Sequence, residues 1–170
     1  MRFFTLIALA AVLLSAQQNP DVAGQREAMK KLAFLVGKWS GDASVVTGRN
    51  GPIRVRQTEE VQFKLNGLVL LIEGTGRDPS TGEVVFTALA TVSYDSEAKA
   101  YKFRSFNDGR YLDTELKVTP NGFEWGYTAG PATIRYTMRL NEKGQWYETG
   151  QAAVGDSPAR QTFEMTATRQ

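Results

Sequence analysis

Apolar and polar residues alternate without interruption through 53–65. Ile53, Val55, Gln57, Glu59, Val61, Phe63 and Leu65 form one set, and Arg54, Arg56, Thr58, Glu60, Gln62 and Lys64 form the other. A period of two is that of a strand with one face on a core and the other in water. The same division recurs down the chain and gives inner sets of Tyr101, Phe103 and Ser105; Leu112, Thr114, Leu116 and Val118; Phe123, Trp125 and Tyr127; Ile134, Tyr136, Met138 and Leu140; Trp146 and Glu148; and Phe163, Met165 and Ala167. The spacing predicts strands at about 39–47, 53–65, 67–77, 84–95, 100–107, 112–119, 122–128, 132–140, 145–153 and 161–169. Turn-forming stretches separate them, among them Asn66-Gly67, Asp78-Pro79-Ser80-Thr81-Gly82 and Pro120-Asn121-Gly122.

Strands wet on one face exclude a parallel sheet wrapped in helices, and short hairpins in sequence order make an up-and-down meander. Closing that meander removes the two edges an open sheet would leave exposed. The expected fold is all-β, a single antiparallel up-and-down barrel of about 8–10 strands. Ahead of it, Met29, Leu32, Phe34, Leu35 and Val36 follow a helical spacing, so a short helix over 25–36 is expected to cap one end. Gly37 ends that helix as a residue able to take positive φ, and Trp39 opens the first strand as the plug of the closed end.

The first 16 residues combine one positive charge, an apolar run of about a dozen residues and a small-residue end, the three regions of an export signal. The run is shorter than the roughly 20 residues of a spanning helix. The chain is therefore divided into a signal peptide at 1–16, a flexible leader at 17–24 and one barrel domain at 25–170, located in a bacterial periplasm or outside the cell. With 20 basic and 18 acidic residues the net charge is +2, falling to +1 once Arg2 leaves with the signal. Interspersed signs argue against nucleic acid as a partner. There is no Cys, so an exported fold rests on its core without disulfides, and there is no His, which removes the commonest metal ligand and the usual neutral-pH base. No metal-ligand spacing occurs and no cofactor is expected.

The Leu32 to Trp39 stretch with its Gly37-Lys38-Trp39 core, preceded by a helix and followed by a meander, resembles the lipocalin and wider calycin group, whose opening signature is Gly-x-Trp. With Tyr94-Asp95 and Tyr101 it also resembles secreted bacterial lipocalin-like domains of unknown function. The resemblance spans most of 30–169. It implies a ligand-binding barrel and an Arg packed over the tryptophan, Arg169 first and Arg160 second. It does not imply haem, because the His that related haem barrels use is missing.

The polar residues in phase with apolar ones are the informative positions. Gln57 and Glu59 share the inner face of the second strand, and Glu148 shares that of Trp146. Burying an ionised carboxylate is unfavourable unless it is paired, so these three suggest a cavity holding water or ligand, the alternative being a bulge or barrel mouth that leaves them in solvent. Tyr101, Phe103, Trp125, Tyr127, Tyr136 and Trp146 on inner faces either fill a core or together line a cavity for an apolar or aromatic ligand. The loop Phe106 to Tyr111 either hangs Arg110 and Tyr111 over the mouth or is a plain hairpin turn. Gly74-Thr75-Gly76 lacks the strand-to-helix context of a phosphate loop. The expected role is to bind a small apolar or amphipathic molecule inside the barrel, with Gln57, Glu59 and Glu148 orienting it. The alternatives are a carboxylate- and tyrosine-based isomerase or hydrolase on the same barrel, and an interaction or scaffold protein of the envelope.

Overall fold

The computed structural model describes residues 20–46 and 51–170. The expected signal peptide and the first part of the leader fall outside the described residues. Ten antiparallel strands close into one barrel: β1 (Gly37–Val46), β2 (Pro52–Lys64), β3 (Val69–Arg77), β4 (Val84–Asp95), β5 (Ala100–Asn107), β6 (Arg110–Thr119), β7 (Gly122–Ala129), β8 (Ala132–Leu140), β9 (Trp146–Val154) and β10 (Arg160–Arg169). Each pairs with its neighbours in sequence, and β1 closes the ring on β10. The fold is the all-β up-and-down barrel that the alternation predicts, with a short N-terminal helix.

The helix, α1 (Val22–Lys30), begins three residues before the expected Gln25. Asp21 caps it by accepting the Gly24 amide at 2.9 Å, so the end of the expected flexible leader is a helix start. The helix also stops early, and Ala33–Leu35 forms one 3-10 turn before Gly37. Met29, Leu32 and Leu35 face the barrel and are fully buried. Polar ties fix the helix to the ring: Arg26 Nε donates to the Asn66 carbonyl at 2.9 Å, Tyr101 Oη to the Ala28 carbonyl at 2.7 Å, and Gln25 Nε2 more loosely to Ser96 Oγ at 3.5 Å.

Beneath the helix lies a packed floor. Trp39 is 1% exposed, donates its indole N–H to the Leu35 carbonyl at 2.8 Å and meets Trp146 edge-on at 5.7 Å between centroids. Phe123, Met138, Leu70, Val92 and Leu116 complete this layer. The Arg169 guanidinium lies 4.1 Å above the Trp39 ring and donates to the carbonyls of Val36 and of Phe34, the latter at 2.6 Å. Arg160 pairs with Ala152 at the other end of β10, which places it at the opposite mouth. Gly37 has φ +132°, a backbone conformation that requires glycine, and a Cβ there would come within 2.7 Å of Arg169 Nη1 and push the guanidinium aside.

Leu65 departs from its expected place on the inner face of β2. It belongs to a 3-10 turn with Asn66 and Gly67, has φ +48° and is 71% exposed. The turn lifts the chain off the sheet before β3, and alternation ends one residue earlier than the apolar pattern does. Across the barrel, β6 and β7 pair at only four positions, Leu116 to Thr119 against Trp125 to Gly122, whereas β1 and β2 pair at ten. Beyond them Thr114 Oγ1 donates to the Gly126 carbonyl at 2.8 Å.

Candidate ligand site in the barrel interior

Strand register places the polar inner residues in one layer just above the floor. Glu59 opposes Trp39 on β1 and Gly74 on β3, while Gln57 opposes Gly41 and Gly76. Glu148, on β9, opposes Met138 and Met165. Only β1 and β10 separate β2 from β9 in the ring, so two carboxyls nearly ninety residues apart in sequence face the same interior.

Glycines make the room. A Cβ at Gly74 would lie 2.9 Å from Glu59 Oε2, one at Gly76 3.0 Å from Gln57 Oε1, and one at Gly150 2.7 Å from the Tyr136 ring. Glu59, Gln57 and Tyr136 each lean over a glycine of the neighbouring strand. This arrangement lets three polar groups and an aromatic array share a ring of ten strands.

The carboxyls are held by neutral donors. Gln57 Nε2 donates to Glu59 Oε1 at 2.7 Å, and Trp146 Nε1 donates to Glu148 Oε2 at 2.9 Å. Burial pushes Glu59 from its ordinary 4.5 up to about 7, the Gln57 amide pulls it back in part, and the charge of Glu148 adds to the rise. Burial likewise raises Glu148 to about 7 against the opposing pull of the Trp146 and Trp125 indoles. Both side chains are surrounded by the barrel wall yet only half-buried from solvent. That combination is expected of groups lining an internal space, and among the described residues no sealed side-chain oxygen or nitrogen lacks a partner.

Aromatic rings rise from this layer toward the mouth. Trp125 and Tyr136 stack at 4.3 Å with planes 7° apart, Tyr127 continues the stack at 6.2 Å, and Phe103 closes on Trp125 at 4.7 Å. Burial, with Tyr127 and Glu148 nearby, pushes the Tyr136 phenol up to about 12, so it stays neutral. Trp125, Tyr127 and Tyr136 are half-buried, in contrast to the sealed floor below.

The residues expected at the site thus divide. Gln57, Glu59, Glu148, Trp125, Tyr127, Tyr136 and Phe103 surround the interior. Trp146 is 2% exposed and belongs to the floor, reaching the site through its N–H, and the Tyr101 hydroxyl is engaged by the helix. Phe106 and Tyr111 pair with each other on the outer face, so Tyr111 does not overhang the mouth; Arg104 covers its ring at 5.5 Å. The mouth itself carries exposed apolar side chains, including Ile53, Phe86 and Val154 in line with the inner faces. Phe163 stands on the inner face where the alternation puts it, whereas the role of Gly74, Gly76 and Gly150 was not read from sequence. The signal of the glycines is positional, because each opposes a larger inner residue once register is known.

No family model matches this sequence, and no curated protein matches it. Solved structures do resemble it. Rv2717c from M. tuberculosis superposes with a TM-score of 0.63 at 13% identity, over 84% of this chain and 97% of that one. The S-type phycobiliprotein lyase CPES from Guillardia theta superposes with a TM-score of 0.56 at 10% identity, over 85% and 91%. At these identities the likeness is one of fold, a ten-strand antiparallel barrel consistent with a calycin-like architecture.

Proposed function

We propose that this barrel binds a small amphipathic molecule in its interior, admitted through the mouth opposite the helix. The observation that carries the reading is the contrast between a sealed floor and a half-accessible upper interior lined by the Trp125, Tyr127 and Tyr136 rings. A protein that needed only a core would continue the floor upward. Flat aromatic walls supply contact area and Gln57, Glu59 and Glu148 supply orientation, the division of labour typical of small-molecule sites. In this reading the N-terminal segment directs export and the ligand is met in the periplasm or medium.

Native mass spectrometry of protein purified from its own host tests this directly. A co-purified small molecule, displaced by Tyr136→Leu with the fold retained, is the expected result. A chain that carries nothing and also fails to take up any panel of apolar and amphipathic dyes would overturn it.

One observation favours a second reading, acid–base chemistry on the same ligand. Two carboxyls poised at about 7 in one enclosed space can exchange protons at neutral pH. A similar barrel named as a phycobiliprotein lyase is a precedent for an enzyme on this architecture. Turnover of the co-purified molecule that disappears in Glu59→Gln or Glu148→Gln would select this reading over simple binding.

A further inference from the structure

We infer that the interior ligand carries a cationic nitrogen, seated between Glu59 and Glu148 with its apolar body against the Trp125 and Tyr136 wall. The inference rests on the binding reading above and names the chemical class of that ligand. Two carboxyls share one enclosed layer, and the donors that hold them are an amide and indoles, none of which brings charge. Gln57 Nε2 reaches only one oxygen of Glu59, leaving Oε2 as an acceptor over Gly74. The basic residues in line with the inner faces sit at the ends. Arg169 is engaged over Trp39 at the floor, and Arg110 and Arg160 begin their strands at the mouth.

The strands that face the pair contribute no compensating charge. From β3, Gly74 and Gly76 oppose Glu59 and Gln57, and from β10, Met165 opposes Glu148. The titratable neighbours are Tyr136 and Tyr127, and Tyr136 is neutral throughout the physiological range. The interior therefore presents two acids that have no charged partner, and no base. Once these carboxyls ionise, an anionic ligand meets repulsion, a neutral one leaves the charges without a counter-ion, and a cation supplies it. Because the carboxyls titrate near neutrality, the cation's advantage grows as they ionise.

Three matched probes separate these cases by isothermal titration calorimetry of the full-length protein: naphthalenemethylamine, naphthalenemethanol and naphthoic acid. At about pH 8 the amine is expected to bind at least about tenfold more tightly than the alcohol, with the acid weakest. Lowering the pH to about 6 should shrink the amine's advantage while leaving the alcohol unchanged. The Glu59→Gln/Glu148→Gln double variant should equalise amine and alcohol, and each single variant should remove part of the preference, near-ultraviolet circular dichroism confirming that all remain folded. Equal binding of amine and alcohol to the unaltered protein, or a preference that survives in the double variant, would overturn the cation inference while leaving the cavity reading intact. Failure of all three probes to bind would overturn both.

Discussion

Glu59 and Glu148 are carboxyls placed where water is scarce, and the direction of their effect on stability follows from that placement. Their folded pKa values, about 7, exceed the ordinary 4.5, so the folded protein binds protons more tightly than the unfolded chain between those limits. The contribution is fully present below about pH 4.5 and is lost as pH rises through 7. Chemical unfolding at pH 5 and pH 8 should show lower stability at the higher pH, by up to about 3 kcal/mol for one such group, and Glu59→Gln should flatten the dependence. Exposed Asp113, held below its ordinary 3.8 by Arg104, acts in the opposite sense at lower pH and leaves this window clear. At the floor, Trp39→Ala should cost about 3–5 kcal/mol in a denaturant titration, as truncation of a buried ring does. Arg169→Lys should cost about 1 kcal/mol, because an ammonium cannot serve two carbonyls and cover the ring together.

At the scale of the elements, close packing puts glycines under test. Gly150→Ala would bring a methyl within 2.9 Å of Phe163 Cβ as well as onto the Tyr136 ring, so it should lower stability by about 1–3 kcal/mol and weaken ligand binding with it, both read from thermal melts with and without probe. The strands were legible from alternation because every one of them is wet on one face. Leu65 was not, since a period of two carries no information about a backbone turning to positive φ. The start of α1 was missed because Val22 to Gly24 add nothing to the apolar stripe. The legible signal there was Asp21, a capping residue followed three places on by the amide it accepts. Gln57, Glu59 and Glu148 were recognisable one strand at a time as polar groups out of place. Their meeting was not, because it exists only through closure of β1 on β10, a contact between the two ends of the sheet. The glycines that admit them are silent in sequence until register pairs each with its partner.

For the molecule as a whole, the two ends of the barrel are unlike. One is sealed by α1, Trp39 and Arg169; the other is ringed by exposed apolar side chains that continue the lining of the interior. No helix among the described residues is long and apolar enough to cross a membrane. The ring is also uneven around its circumference, since β6 and β7 part company after Leu116 and Trp125. Amides of 111–115 and 127–129 that face this division lack a ladder partner, and hydrogen–deuterium exchange should find them the fastest among the strands. Mechanically, such a cylinder behaves as a split sleeve. Nine seams are paired at seven positions or more and one at four, so strain introduced at the mouth should relax by spreading β6 from β7 beside the Tyr127 ring. A guest wider than the resting bore could be accommodated by that hinge-like give without breaking any ladder bond of the remaining wall.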